Sequence, residues 1–478
     1  MSSRSLWAIL ALAVALLSFR LGGVALLDPD EGRYAAAAPE MVSSGDPIVP
    51  RFNGEPRLNK PPLIYWAQAA SYLVLGESEW AARLPSLLSA VALAGLIAWW
   101  ASRRIGAQAS VLAVASLATI PLFFACARLA ITDMMLALWI GATLLIWHEA
   151  VTAKEPGARR RLSMAASLAC GLAALTKGPV GALLPAAVII ATATVARRSR
   201  LVTARGAAMA LAGSLLVAGP WLAGLSGRIG WEGTLDLIGR EGIERAVRGL
   251  DHPRPFHYFL VSFWPTFFPW SLAAPLAFVA AWRSRREADL VGLFLACWLA
   301  CVILFFTMMA DKNDAYLLPA APALALMVAR HVPRRIVLWT AGAMAILLVA
   351  ALLSATGPLS RARSTKDLVL AGRLDPAGGR GDFTLLSYRL YKPSLVYYAG
   401  RRAVWVTSGE ELRGLLAGTP EGEAVAIVMT RPRLDRMRPG RLDGFVVVAE
   451  RGGCVVLFRE SRPAIRSAAA PPPCSCCA

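Results

Sequence analysis

The sequence predicts an all-α polytopic membrane domain with a small C-terminal α/β domain outside the membrane. Of the 478 residues, 56% are hydrophobic, which is typical of membrane proteins rather than of soluble globular chains. Apolar runs of roughly 18 or more residues recur up to residue 356, and each is long enough to cross about 30 Å of hydrocarbon. After Gly357, charged residues return between short runs that resemble strands.

The apolar runs predict about eleven to thirteen membrane-spanning helices, depending on whether two of the runs are split or merged. A shorter apolar segment, 62–76, follows Pro61 and is predicted to lie along the membrane surface. The first run is long and has no clear small-residue cleavage site after it, which disfavours a signal peptide. The predicted spans are 6–27, 83–102, 108–126, 130–151, 162–176, 178–196, 204–225, 259–282, 289–309, 315–331 and 335–356.

Lysine and arginine are concentrated in alternate short loops between these spans. The positive-inside rule places such loops in the cytoplasm, together with the N-terminus. An odd number of spans then puts the other loops and everything after about residue 357 on the outer face. Much of the +19 net charge is therefore a topology signal and not a nucleic-acid-binding surface. The basic loops are 103–104, 154–161, 197–205, 283–286 and 330–335.

Three regions follow from this topology. Residues 1–356 form the membrane domain, whose first outer loop, 28–82, is rich in charge. Residues 357–465 are predicted to form the outer α/β domain, and the Pro- and Cys-containing tail, 466–478, is predicted to be disordered. In the α/β domain EELRGLLAG is predicted as a helix, and the predicted strands are LVYYAG, RAVWV, AVAIVM and GFVVVAE.

Acidic residues crowd the start of the first outer loop, directly after the first span. Asp28, Asp30 and Glu31 adjoin the apolar run, and a carboxylate at the edge of a bilayer is costly enough to indicate a task. The simpler alternative is a solvated pair. We expect Asp30 and Glu31 to be catalytic, either accepting a proton from an acceptor hydroxyl or amine or orienting that group.

Basic residues in the same loop are candidates for binding a phosphate, among them Arg33, Arg51 and Lys60. Lys60 precedes two prolines, which bias it away from helical geometry and hold its ammonium group at the level of the lipid headgroups. If a prenyl phosphate is the leaving group, a fixed cation there stabilises the negative charge that grows on it. The alternative is a lysine that merely extends along the membrane surface.

Later outer turns supply further candidates. Asp133, a third candidate catalytic carboxylate, begins a span, where a helix cap is the simpler alternative. Lys177 is isolated between two apolar helices, which favours an anionic partner. His252 lies beside two prolines without a second ligand at metal-site spacing. Lys312 and Tyr316 offer another cation and a phenol, and the shared outer location of all these residues predicts a single site.

The first outer loop resembles that of the GT-C class of polyprenyl-phosphate-sugar-dependent glycosyltransferases. The bacterial lipid A aminoarabinose transferases are the most similar group, and the protein O-mannosyltransferases are more distant. The loop contains, in the family's order, an acidic DE-x-RYA start, an EM-x-x-x-GD turn, a PR-x-NG stretch and a KPPL-x-YW end. Later stretches that resemble family motifs are TDMML, HPRPFHYF, DKNDAYLLP and SLVYYAGRRAVWV.

This resemblance implies a GT-C-like fold in the bacterial inner membrane, with the active site and the C-terminal domain in the periplasm. It implies transfer of 4-amino-4-deoxy-L-arabinose, or another pentose or hexose, from undecaprenyl phosphate. The acceptor it implies is lipid A, another envelope glycan or a protein. By position, Asp30 matches the family's loop carboxylate. Residues that match the family's donor-binding and cavity positions are Arg33, Tyr34, Lys60, Asp133, His252, Lys312 and Tyr316.

One residue departs from the family pattern. Close relatives often carry Glu before the lysine of KPPL, where this chain has Asn59. That Glu can pair with the loop histidine around a metal ion, so Asn59 argues against a divalent metal at His252 and against strict aminoarabinose specificity. The lipid-linked sugar donor is the one cofactor-like molecule that the resemblance implies.

Two other classes of protein fit part of the pattern. A lipid or sugar transporter or flippase would carry charged residues in mid-span and helices broken near the bilayer centre. Here the charges collect at one surface, which favours the enzyme. A glycan-binding or scaffold protein without catalysis is the second alternative.

Overall fold

The computed structural model describes residues 3–244, 253–283, 289–420, 423–437 and 442–460. The chain divides into two compact units. The first comprises Met1–Ala25 and Ala37–Gly357, and the second comprises Leu26–Ala36 and Pro358–Ala478. The predicted site residue His252 and the tail 466–478 lie outside the described residues.

The first unit is built from helices and one small antiparallel hairpin. The hairpin pairs β1 (Arg51–Phe52) with β2 (Glu55–Pro56). The helix α2 (Asp30–Ser44) begins in the second unit and continues into the first. The other helices of the first unit are α1 (Ser3–Ser18), α3 (Leu63–Leu75), α4 (Glu79–Arg104), α5 (Ala107–Ala118), α6 (Pro121–Ala127), α7 (Asp133–Thr152), α8 (Pro156–Lys177), α9 (Val180–Val195), α10 (Ala204–Ile238), α11 (Tyr258–Thr266), α12 (Ala274–Arg283), α13 (Leu290–Thr307), α14 (Ala321–His331) and α15 (Arg334–Arg363, whose last turns belong to the second unit).

The helices confirm a polytopic membrane protein with several apolar spans. Among the described residues, five helices are long and apolar enough to cross a membrane, or up to seven if each of two bent pairs counts as one span. The pair α5 and α6 is bent by 72°, within the predicted span 108–126. The bend precedes Pro121, and Ile120 before it is extended because the proline ring disfavours helical geometry there.

Three other predicted spans differ in detail from the helices. The segment 259–282 is a pair of helices bent by 116°. The predicted span 6–27 contains a helix that ends at Ser18, because Arg20 adopts a left-handed conformation with φ 51°. The segment 315–331 begins as the 3₁₀ helix Asp314–Ala320 and becomes α-helical only at α14.

The main apolar cluster in the core of the first unit includes residues of α1, α4, α5, α7, α13 and α14. Two buried arginines stand out beside it. Arg83 of α4 donates hydrogen bonds to the carbonyls of Leu21 and Val24, at 2.8 and 2.7 Å. Arg128 donates to the carbonyl of Leu17 at 2.8 Å. These cations satisfy carbonyls in and just after the last turn of α1, where a positive charge also stabilises the helix dipole.

The second unit contains a five-stranded mixed sheet in the order β4-β3-β5-β7-β6. The strand β3 is parallel to β4 and β5, whereas β7 is antiparallel to β5 and β6. The elements are α16 (Lys366–Ala371), β3 (Thr384–Tyr388), α17 (Ser394–Ala399), β4 (Ala403–Val406), α18 (Gly409–Gly418), β5 (Val425–Thr430), α19 (Arg431–Asp435), β6 (Val446–Arg451) and β7 (Cys454–Arg459).

This sheet confirms a C-terminal α/β region, and it corrects one predicted strand. RAVWV, AVAIVM and GFVVVAE contribute β4, β5 and β6, and EELRGLLAG contributes α18. LVYYAG was predicted as a strand but forms the short helix α17, which follows Pro393 and ends at the left-handed Gly400. A proline at the start and a glycine after the end are helix-boundary signals that outweigh the apolar alternation here.

Candidate active site

The three carboxylates at the start of the first outer loop, Asp28, Asp30 and Glu31, lie in different environments. The side chain of Glu31 is 2% exposed, and its Oε2 accepts a hydrogen bond from the backbone N–H of Leu27 at 3.0 Å. Glu31 is therefore bound to the backbone that precedes its own helix. The side chain of Asp30 is 50% exposed, with Arg33 Nη1 at 3.6 Å from its Oδ1. Asp30 keeps a carboxylate that a substrate can reach.

Asp28 is engaged in a buried network of the second unit. Its side chain accepts hydrogen bonds from the backbone N–H of Ser394 at 2.7 Å and from the Ser394 hydroxyl at 2.6 Å. Burial raises the pKa of Asp28 to about 6, and the hydrogen bonds from Ser394 partly offset that rise. Gly32 fits against this network, since a Cβ there would lie 2.5 Å from the nitrogen of Ser394.

Arg33 and Tyr34 occupy different environments. The guanidinium of Arg33 lies over the ring of Tyr391 at 5.1 Å, and its Nε donates to the Tyr391 hydroxyl at 3.2 Å. Tyr34 is buried. The guanidinium of Arg33 thus contacts both Asp30 and Tyr391, while Tyr34 is buried in α2.

The hairpin turn at Asn53 and Gly54 is held by a glutamate of α2. Glu40 accepts the backbone N–H groups of Asn53 and Gly54 at 2.6 and 2.9 Å. Both turn residues have positive φ, 59° and 84°, as a two-residue hairpin turn of the Asn-Gly type requires. Arg51 on β1 donates to the carbonyl of Gly54 at 3.3 Å, so this predicted donor-binding residue is placed in the hairpin.

Lys60 lies beside a carboxylate from a distant segment of the first unit. Its Nζ is 3.6 Å from Glu241 Oε2 and donates to the carbonyl of Asn59 at 2.9 Å. Glu241 belongs to the π-helical segment Gly239–Glu244. Asn59 Oδ1 is buried without a hydrogen-bond partner in the described structure. The predicted phosphate-binding cation is therefore paired with an anion.

Asp133, Lys177 and Tyr316 form one cluster. Lys177 Nζ at the end of α8 lies 2.5 Å from Asp133 Oδ1 at the start of α7. The same ammonium lies 4.4 Å from the centre of the Tyr316 ring. Thr132 occupies the cap position of α7 without a side-chain capping bond, and the carboxylate of Asp133 is directed to the lysine. The structure thus brings together three residues that are far apart in the sequence.

Lys312 is buried in the turn between α13 and the 3₁₀ helix Asp314–Ala320. It is only 3% exposed, and its ammonium donates to the carbonyls of Met309 and, at 3.4 Å, of Arg254. Burial lowers the pKa of Lys312. Nearby, Tyr258 donates to Asp314 at 2.7 Å, and Arg254 lies over its ring at 4.5 Å. Lys312 therefore holds two backbone segments together in this structure.

Sequence reasoning missed three of these partners. Glu241 lies in a stretch of mixed charge after the predicted span 204–225, a pattern that is typical of an ordinary solvated helix. Ser394 and Tyr391 are more than 350 residues from the loop that they contact, and the one signal for them was the SLVYYAG stretch. Among the described residues, no group of three or more His, Cys, Asp and Glu side chains is arranged to hold a metal ion.

Comparison with known proteins finds that the chain is similar to glycosyltransferases that use lipid-phosphate sugars. Residues 59–223 match the family described as dolichyl-phosphate-mannose-protein mannosyltransferase. A relative from Sodalis glossinidius, named as an undecaprenyl phosphate-alpha-4-amino-4-deoxy-L-arabinose arabinosyl transferase, is 32% identical over 65% of this chain and 56% of its own length. A relative of that name from Pseudomonas aeruginosa is 32% identical over 70% of this chain and 61% of its own length. The chain thus spans less than two thirds of these curated relatives.

Solved structures show the same fold over almost the whole chain. ArnT from Cupriavidus metallidurans in the apo state matches with a TM-score of 0.80 and 22% identity, covering 96% of this chain and 98% of that one. The same protein bound to undecaprenyl phosphate matches with a TM-score of 0.77. The archaeal oligosaccharyltransferase AglB from Archaeoglobus fulgidus matches with a TM-score of 0.53 and 13% identity, covering 88% of this chain and 69% of that one.

Proposed function

We propose that this chain, a member of the GT-C class of glycosyltransferases, transfers a sugar from undecaprenyl phosphate to an acceptor of the bacterial cell envelope. The names of the relatives and the undecaprenyl phosphate bound to a protein of the same fold support this donor. The chain is a multi-pass membrane protein. Its N-terminus is cytoplasmic, and the reaction takes place at the periplasmic face, as the basic loops indicate.

The observation that carries the proposal is the contrast among the three loop carboxylates. Asp28 is bound to Ser394 and Glu31 to a backbone N–H, whereas the side chain of Asp30 is half exposed. The carboxylate of Asp30, the first residue of α2, is half exposed and is therefore accessible to an acceptor. Asp30 is therefore the catalytic carboxylate, and Glu31 contributes by holding the start of α2 in place.

The chemistry is a displacement at the anomeric carbon. The acceptor oxygen forms a new bond to that carbon, the bond from carbon to phosphate oxygen breaks, and undecaprenyl phosphate leaves with the electron pair. If the acceptor is a hydroxyl, Asp30 takes its proton as a general base. If the acceptor is a phosphate of lipid A, it is already anionic, and Asp30 orients the reacting groups instead.

The cations supply stabilisation of the leaving group. Lys60 is fixed by the prolines that follow it and exchanges Glu241 for the donor phosphate, so that the growing charge meets a preorganised ammonium group. Lys177, paired with Asp133 and packed over the ring of Tyr316, contributes a second positive charge for binding the donor. Arg33 and Arg51 complete the set of donor-binding cations, and Lys312 supports the outer turn that carries Tyr316.

The transferred sugar is an aminopentose or a related pentose or hexose, and the acceptor is lipid A, an envelope glycan or a protein. The test is mass spectrometry of lipid A, envelope glycans and proteins from cells with and without the gene. The expected result is the loss of one sugar from one acceptor, restored by the wild-type gene and not by one encoding Asp30→Asn. A profile that is unchanged for all lipid-linked and protein-linked glycans contradicts the proposal.

A further inference from the structure

Residues 391–398 of the second unit form hydrogen bonds with the chain both before and after Asp30. Before Asp30, the backbone N–H of Leu26 donates to the Tyr398 hydroxyl at 2.7 Å. After Asp30, Arg33 donates to the Tyr391 hydroxyl at 3.2 Å and stacks on its ring. These contacts fix both ends of the short run and leave the carboxylate of Asp30 half exposed between them.

Between these two contacts, Asp28 and Ser394 form a buried, hydrogen-bonded pair. Asp28 is 7% exposed and Ser394 is fully buried, and both the N–H and the hydroxyl of the serine donate to the one carboxylate. Ser394 Oγ also accepts the N–H of Thr365 at 3.0 Å. A carboxylate that accepts two hydrogen bonds from one residue cannot rotate without leaving buried donors unsatisfied.

Steric fit reinforces the same contact. A Cβ on Gly32 would lie 2.5 Å from the nitrogen of Ser394, 2.9 Å from the carbonyl carbon of Pro393 and 3.0 Å from Asp28 Oδ1. The first turn of α2 therefore approaches the start of α17 more closely than any other residue type would allow. This close approach limits the positions that the backbone at residues 30 and 31 can adopt.

We infer that Ser394 is a positioning residue for the transfer reaction, which fixes the catalytic carboxylate of Asp30 through its hydrogen bonds to Asp28. The inference rests on the proposed function, and it gives the C-terminal α/β unit a direct part in catalysis. A catalytic group must be held to within a fraction of an ångström, because a displacement of about 1 Å costs about 100-fold in rate. Ser394 does not itself touch the substrate.

The test compares two buried serines of the same unit in the full-length protein reconstituted in nanodiscs. Ser394→Ala removes the hydroxyl that binds Asp28. The control, Ser387→Ala, removes a hydroxyl that is also buried and that donates to the carbonyl of Leu390 at 2.6 Å. The measurements are kcat, KM for the undecaprenyl-phosphate sugar and the thermal unfolding midpoint.

Both variants are expected to lower the unfolding midpoint by similar amounts. Only Ser394→Ala is expected to lower kcat, by about tenfold or more, with the KM for the donor changed by less than about threefold. Asp28→Asn is expected to lower kcat likewise, and the double variant is expected to be no slower than the slower single variant, since the two residues act as a unit. If Ser394→Ala and Ser387→Ala keep the same kcat, the inference is wrong.

A milder variant covers the case in which Ser394→Ala does not fold. Tyr391→Phe removes only the hydroxyl that Arg33 contacts, on a half-exposed side chain, and is expected to lower kcat severalfold without a change in the unfolding midpoint. Wild-type kcat in this variant contradicts the inference. A wild-type protein that transfers no sugar to any acceptor counts instead against the proposed function.

Discussion

Lys60 and Glu241 form an ion pair in which 3.6 Å separates Nζ from Oε2. The pair joins the end of the first outer loop to the π-helical segment Gly239–Glu244. The carboxylate of Glu241 is thus paired with the ammonium group that is proposed to bind the donor phosphate. Two anions compete for one ammonium group, and the donor must displace Glu241 to bind.

Neutralising Glu241 should therefore strengthen donor binding. Glu241→Gln is expected to lower the Kd for undecaprenyl phosphate by about threefold to tenfold, in line with the loss of a partly exposed competing charge. The matched control is Glu232→Gln, at an exposed position of α10 before the π-helical segment, which should leave the Kd unchanged. Isothermal titration calorimetry in nanodiscs at two salt concentrations measures both Kd values. A higher Kd for undecaprenyl phosphate in Glu241→Gln would contradict the competition between the two anions.

Substitutions at Asp133 and Lys177 can distinguish the contribution of this ion pair to stability from its contribution to sugar transfer. Removing one partner leaves an uncompensated buried charge, so Asp133→Ala and Lys177→Ala should each lower the free energy of unfolding by roughly 3–5 kcal/mol. An apolar replacement of both, Asp133→Leu with Lys177→Met, should recover most of that stability, since buried pairs are often replaceable by packed hydrophobic residues.

Sugar transfer should not recover in the same double variant, because the substrate loses the ammonium group that the pair supplies. Thermal unfolding and transfer of labelled sugar are measured on the same preparations. A double variant that is stable and fully active would assign the pair to the fold alone.

Gly32 should be irreplaceable in α2. Gly32→Ala places a Cβ 2.5 Å from the nitrogen of Ser394, and relieving that contact requires a backbone shift with a cost of several kcal/mol, above the usual range for a point substitution. The control is Gly95→Ala in α4, where a Cβ meets nothing within 4 Å and helix propensity predicts a gain of up to about 1 kcal/mol. The unfolding midpoints should move in opposite directions, and equal midpoints would contradict the packing described here.

The stability of the second unit should depend on pH through Asp28. Burial raises the pKa of this carboxyl from 3.8 to about 6, so the folded state binds its proton more tightly than the unfolded state. As pH rises from about 4 to about 6, the unfolded chain releases that proton first, and the free energy of unfolding falls by roughly 3 kcal/mol.

Asp28→Asn should flatten this pH dependence, whereas Asp367→Asn, at an exposed position of the same unit, should not. The measurement is the unfolding midpoint between pH 4 and pH 7. A slope that is equal in the wild type and in Asp28→Asn would assign the pH dependence to another group.

The sequence predicts most of the helices because their apolar runs are long and uninterrupted. It fails at local breaks: the proline after Ile120 bends one predicted span, and the left-handed Arg20 ends another early. LVYYAG was predicted as a strand because six residues are too few to separate a helical period from a strand period, and the flanking Pro393 and Gly400 decide for a helix.

The candidate site is predictable as a set of residues but not as an arrangement. Asp28, Asp30 and Glu31 are equivalent in the sequence, and only the distant Ser394 distinguishes Asp28 from its neighbours. The partners of Lys177 and Lys60 come from segments that no local pattern connects to them. Lys312 stays a predicted donor-binding cation, and the contacts of its ammonium group with backbone carbonyls could not be read from the sequence.

The most direct measurement is transfer of radiolabelled sugar by the purified protein in nanodiscs, from undecaprenyl phosphate to lipid A and other acceptors. Wild-type protein should move the label to one acceptor and release undecaprenyl phosphate in equal amount, and Asp30→Asn and Lys60→Ala should each reduce the rate at least about 100-fold. Label that stays on the carrier in every reaction, or that crosses a vesicle without cleavage of the bond to phosphate, would contradict a transferase.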